Sequence, residues 1–89
     1  MDQRYLYRIY TEDLNCDDVG RIVSASFEGF TVLSGYGCWK GQFERSLIIE
    51  IIGTTDDVPD LEVVCKQIRE HNKQQAVMLT CQKVAMNLL

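Results

Sequence analysis

The 89-residue sequence predicts an α+β sandwich of order β-α-β-β-α-β, in which a four-stranded antiparallel sheet carries two helices on one face. Three observations predict it. Residues 4–11 (RYLYRIYT) are rich in aromatic and β-branched side chains. Residues 47–52 (LIIEII) form an aliphatic run suited to the middle of a sheet. Leu61, Val64, Cys65 and Ile68 recur at i, i+3, i+4 and i+7, the stripe of a helix lying on that sheet.

The elements follow in order. The first strand places Tyr5, Tyr7 and Ile9 on one face and Leu6, Arg8 and Tyr10 on the other. A short helix begins after Asn15, its expected N-cap, with Asp17 and Asp18 favouring its positive end. Val19, Ile22, Val23 and Phe27 supply its apolar side, Gly20 weakens it, and Gly29 is the expected stop. Residues 30–34 and 43–52 read as two strands, and a connector this short joins them as an antiparallel hairpin, since parallel pairing needs a crossover of a dozen or more residues. Residues 53–57 turn into the strongest helix, expected over 58–72, with Asp57 as its cap and Pro59 in its first turn. Residues 75–84 form the last strand, with an apolar tail to Leu89.

Two right-handed βαβ units around a central hairpin give the ferredoxin-like sandwich, sheet order 4-1-3-2. Both helices then lie on one face. The other face exposes Leu6, Tyr10, Ile48 and Ile52, so the expected partner is a second or third copy of the chain, a dimer or trimer formed through the open sheet.

Residues 1–89 are expected to form one ferredoxin-like domain, near the size at which burial only just outweighs chain entropy. A net charge of −4 and pI near 4.8 argue against nucleic acid and anionic membrane as partners. Cys16, Cys38, Cys65 and Cys81 are separated by 21, 26 and 15 residues, without the paired spacing of a metal knuckle, and a single histidine cannot complete one. No metal and no cofactor is therefore expected. With no secretory signal and no apolar run near the length of a membrane span, a cytoplasmic location with reduced thiols is the expectation.

Chemistry narrows to one stretch, residues 35–46 (GYGCWKGQFERS). It lacks the Lys-Ser/Thr of a phosphate-binding loop and does not open a helix, so neither mononucleotide nor dinucleotide motifs apply. His71 is placed at a helix end with no serine or carboxylate signature to make it a base, and no catalytic set is predicted. Tyr36, Trp39, Lys40 and Arg45 could stack on and pair with a planar anionic ligand, joined by Glu44 and by Arg8 from the first strand. Against this stands a purely structural role, with Trp39 covering the end of a small core and glycines allowing positive φ in the turn. Arg8, Glu44, Arg45 and Glu50 are also placed to form cross-strand pairs.

The residues Phe30 to Leu33, Gly35 to Gly41, Glu44-Arg45-Ser46 and Gln75 to Leu79 resemble a family of small uncharacterised bacterial proteins. The shared pattern is a strand followed by Gly-x-Trp-Arg/Lys, a short loop, Glu-Arg/Pro-Ser and an aliphatic strand. The resemblance covers about half of the chain, which departs from it by a shorter loop after Gly41 and by extra cysteines. It implies a ferredoxin-like fold, distantly similar to nitrogen-regulatory PII and CutA-type proteins, and no particular activity. PII-like proteins commonly bind nucleotides or metals in the subunit clefts of trimers, an analogy at the level of fold.

The expected function is that of a non-enzymatic, self-associating binding or regulatory protein. Its ligand, nucleotide-like and anionic, or its protein partner would meet the 35–45 hairpin and a subunit cleft. The alternatives are a protein-interaction module, such as a phage-type inhibitor of a host or defence protein or a signalling-nucleotide sponge, and a small dimeric enzyme using Tyr10, Arg8, Glu50 or His71.

Overall fold

The aliphatic run at residues 47–52 lies inside the sheet, and the other elements are arranged around it. In a computed structural model describing residues 3–89, the elements are β1 (Arg4–Glu12), α1 (Cys16–Ser24), β2 (Thr31–Trp39), β3 (Gln42–Gly53), a 3-10 turn (Thr55–Asp57), α2 (Val58–Asn72) and β4 (Met78–Val84). All pairings are antiparallel and the strand order is β2-β3-β1-β4, the expected ferredoxin-like order. Interior position explains the composition of β3: Leu47, Ile49 and Ile51 are buried against the helices, and Ile48, Glu50 and Ile52 face the uncovered side.

Tyr7 and Ile9 from β1 join Ile49 and Ile51 in a core closed by Val19 and Val23 of α1 and by Leu61, Val64 and Ile68 of α2. Each buried aliphatic side chain contributes about 1.5–3 kcal/mol relative to exposure. The Tyr7 hydroxyl donates to the Thr54 carbonyl at 2.8 Å, so its ring is buried without an orphaned polar atom. Burial, aided by the nearby Cys81 and Asp57, raises the pKa of that phenol above its ordinary value.

The boundaries depart from the sequence reading where non-local contacts outweigh local signals. Asn15 occupies the N-cap position of α1 but in a left-handed conformation (φ 53°, ψ 48°), with no capping bond from its side chain. Its amide donates instead to Asn72 Oδ1 at 3.1 Å. The helix ends at Ser24, short of Gly29, because the chain folds back: the amides of Ser26 and Phe27 both return to the Val23 carbonyl, and Phe27 packs on the core. Ahead of α2 the cap is displaced to Thr54. Its hydroxyl accepts from the Asp56 amide while Asp57 accepts from the Thr54 amide at 2.8 Å, a reciprocal capping box around the 3-10 turn.

The largest difference concerns the glycine-rich connector, which is strand almost throughout. β2 runs on to Trp39, β3 begins at Gln42, and the turn is only Lys40-Gly41, with φ of 51° and 79°. Positive φ at both central residues matches the right-handed twist of the ribbon. Gly35 serves another purpose: a Cβ there would lie 2.9 Å from Ser46 Oγ and 3.0 Å from Ile48 Cδ1, so its glycine lets β2 and β3 approach.

Where the start of α1 meets the end of α2, His71 Nε2 lies 2.9 Å from Asp18 Oδ2 and ties the two helices, and Arg21 of α1 contacts the same carboxylate. These partners, His71 first and Arg21 second, hold the Asp18 carboxyl below its ordinary value of 3.8. A depressed carboxylate adds stability above its unfolded pKa and loses it as pH falls through the folded value. Urea midpoints measured from pH 7 downward should therefore show Asp18→Asn less stable than wild type at neutral pH, with the difference closing in acid. A gap that stays constant with pH would contradict the assignment. Ile68→Ala, which empties a fully buried position, should lower unfolding free energy by about 2–5 kcal/mol in the same assay.

Candidate functional site

β1 stops at Glu12, paired with Ser46, whereas β3 begins at Gln42 and β2 accompanies it from the turn. The tip of the hairpin, from Tyr36 and Arg45 outward, is thus a two-stranded ribbon projecting past the end of β1. Its root is held by the Asp13 amide, which donates to the Arg45 carbonyl at 3.1 Å, and by an Arg45–Asp13 ion pair at 3.6 Å.

Between this ribbon, the end of β1 and the α2–β4 loop lies a cleft of about 440 Å³. Tyr10 and Glu12 of β1, Trp39 and Glu44 of the hairpin, and Met78 at the start of β4 contribute side chains from the uncovered face of the sheet. Register sets these neighbours: Tyr10 stands opposite Met78, and Glu44 is the diagonal neighbour of Glu12 because Glu12 pairs with Ser46.

The opposite wall is fixed by buried polar chemistry. α2 ends at Lys73 in a left-handed cap (φ 55°), and the Gln74 amide returns to the Arg69 carbonyl at 2.9 Å. Asn72, last on the buried stripe of α2, donates to Gln74 Oε1 at 2.9 Å and to the Leu14 carbonyl at 3.3 Å. The Thr11 hydroxyl donates to the same Gln74 oxygen. This network pins the loop against β1, and Lys40 Nζ, 3.4 Å from Gln75 Oε1, bridges the turn to it.

The six residues singled out from the sequence separate into three places. Trp39 and Glu44 line the cleft, and Lys40 sits at its rim, 5.8 Å from the Trp39 ring centroid. Tyr36 and Arg45 occupy the other face of the ribbon, where Tyr36 stacks on Phe43 with ring centroids 5.7 Å apart. Arg8 stands in the middle of the open sheet face, its Nε 2.8 Å from Glu50 Oε2, the cross-strand pair anticipated from the sequence. Trp39 is 54% exposed and forms no lid over the core, because register places it on the uncovered face of the sheet, opposite the helices, on a ribbon that runs past the end of β1. Glu12, Gln74 and Met78 were not singled out. Strand alternation marks Glu12 as facing the same way as Tyr10, whereas Met78 joins them only through the β1–β4 register, and no local signal marks the Asn72-Gln74-Thr11 network.

No protein-family model matches the sequence, and no curated protein is recognisably similar to it. Solved structures are similar in fold. A DUF3240 family protein from Shewanella baltica OS155 superposes with a TM-score of 0.80 at 13% identity, covering 100% of this chain and 98% of its own. CPII, a nitrogen regulatory PII-like protein from Thiomonas intermedia K12 bound to ADP, AMP and bicarbonate, gives 0.70 at 12% identity over 98% of both chains. The GlnK–ATP complex of B. subtilis gives 0.68 at 16% identity, covering 92% of this chain and 82% of that one. At such identities the likeness is one of architecture, and the chain carries the ferredoxin-like α+β fold that these PII-like proteins share.

Proposed function

We propose that the protein is a non-enzymatic, self-associating regulatory protein that binds a nucleoside or nucleotide in the cleft between the β2–β3 hairpin and the α2–β4 loop. The observation that carries this reading is the cleft itself: about 440 Å³, walled by the aromatic rings of Trp39 and Tyr10 and by Met78, with Glu12, Glu44 and Gln74 as the polar groups that would orient a base. Two structures of the same fold hold adenine nucleotides, which supports that class of ligand. Lys40 at the rim is placed to meet a ligand's outer end.

Self-association is supported by the uncovered sheet face. Leu33 (43% exposed) and Ile52 (51%) lie there with Leu6, Ile48 and Met78 around the Arg8–Glu50 pair, an apolar surface costly to leave in water. Arg8 and Glu50 already satisfy one another, so covering them buries no unpaired charge. The cleft borders this face, and association through it would place a second copy beside the ligand.

Thermal-shift and calorimetric titration with adenosine, guanosine, their nucleotides and cyclic nucleotides tests the ligand. At least one compound should bind, and Trp39→Ala should weaken it about fivefold or more, since stacking of a base on an aromatic ring is worth about 1–3 kcal/mol. No binding by any of them, or equal binding by wild type and variant, would count against the site. Light scattering after size exclusion tests the assembly: wild type should elute as a dimer or trimer, and Ile52→Asp as a folded monomer. A monomeric wild type at micromolar concentration would remove self-association from the proposal.

A further inference from the structure

We infer that the cleft selects a nucleoside-type ligand bearing a positive charge beside its flat ring, in preference to one bearing phosphate. The inference rests on the ligand site proposed above and concerns the charge its occupant must carry.

Among the residues lining the cleft the only charged side chains are Glu12 and Glu44. They project from the same sheet face as diagonal neighbours on adjacent strands, a geometry in which Cα atoms are about 7–8 Å apart. Both are half-buried, and neither has a hydrogen-bond or ion-pair partner among the described residues. Elsewhere on the protein the half-buried carboxylates of Asp13 and Glu50 each have a cation. The nearby arginines are committed to those pairs: Arg8 Nε is 2.8 Å from Glu50, and Arg45 Nε is 3.6 Å from Asp13 on the far face of the ribbon. Lys40 is held at the turn, its Nζ 5.8 Å from the Trp39 ring centroid and 3.4 Å from Gln75 Oε1, and pairs with neither Glu12 nor Glu44.

Two partly desolvated carboxylates without counter-charge attract a cation and repel a phosphate, and the effect strengthens where the cleft excludes water. The walls add to this preference. The electron-rich faces of Trp39 and Tyr10 attract organic cations, as aromatic cages do. A flat ring lodged against Trp39, with an ammonium or sulfonium group reaching Glu12 and Glu44, would satisfy both features. A phosphate in the same position would bring like charge against like.

Three adenosine compounds differing only at the 5′ position separate the possibilities: 5′-amino-5′-deoxyadenosine, protonated at neutral pH, adenosine, and AMP. Calorimetry on the wild-type protein should give tightest binding for the amine, then adenosine, then AMP, with the amine about tenfold tighter than adenosine and its advantage shrinking as salt is raised. In the Glu12→Gln/Glu44→Gln variant, which removes both charges at nearly constant side-chain volume, amine and adenosine should bind equally. AMP binding as tightly as the amine or tighter overturns the inference and leaves the nucleotide site standing. A preference for the amine that persists in the variant overturns the assignment to these carboxylates. Failure of all three compounds and of ATP to bind overturns the site and the inference together. The wild-type comparison decides the charge question even where the variant does not fold.

Discussion

The length mismatch between neighbouring strands is the constraint on which the cleft depends. β3 has twelve residues and β1 nine, and their pairing ends at Glu12 and Ser46, so the outer end of β3 has only β2 beside it. A ribbon of two strands carries more twist than a sheet of four and has no helix packed over it. Side chains are therefore exposed on both of its faces, Tyr36, Phe43 and Arg45 on one and Trp39 on the other, with Glu44 half-buried beside the cleft. Were β1 extended to match β3, a third strand would occupy the space now open between the hairpin and the α2–β4 loop.

The second requirement is a fixed opposite wall. A loop joining a helix to an edge strand is ordinarily the most mobile part of such a fold. Here Gln74 accepts from Thr11 and from Asn72, and Asn72 is itself held by Asn15 and by the Leu14 carbonyl. The chain thereby joins the end of β1, the start of α1, the end of α2 and the loop through polar side chains at the rim of an apolar core. Asn15 adopts a left-handed backbone and forgoes ordinary capping in the same arrangement. A helix cap is worth about 1 kcal/mol, and the partly buried hydrogen bond from the Asn15 side chain to Asn72 takes its place.

Most of the fold was legible because its signals are local and periodic. The alternation of Tyr5, Tyr7 and Ile9, the aliphatic density of residues 47–52 and the helical stripe from Leu61 to Ile68 each report burial of one face, and burial drives the fold. The glycine-rich hairpin was the exception. Three glycines suggest a loop, yet only Gly41 has positive φ, and Gly35 serves close packing. Composition does not distinguish a glycine that turns the chain from one that admits a neighbouring side chain. The same ambiguity put Trp39 over the core, since an aromatic residue in a short connector has nowhere else to go, whereas one on an extended ribbon has.

What the sequence by itself determined is the set of elements, their order, the buried face of each and the sheet topology that these imply, because periodicity encodes burial and short connections restrict topology. What only the tertiary structure decided is which polar residues meet. Glu12, Glu44 and Gln74 belong to three segments far apart in the chain, and strand register, a two-residue turn and a bond between Thr11 and Gln74 bring them to one cleft. None of those contacts leaves a periodic trace, since a register or a long-range hydrogen bond depends on how whole elements align and not on the residues flanking either partner.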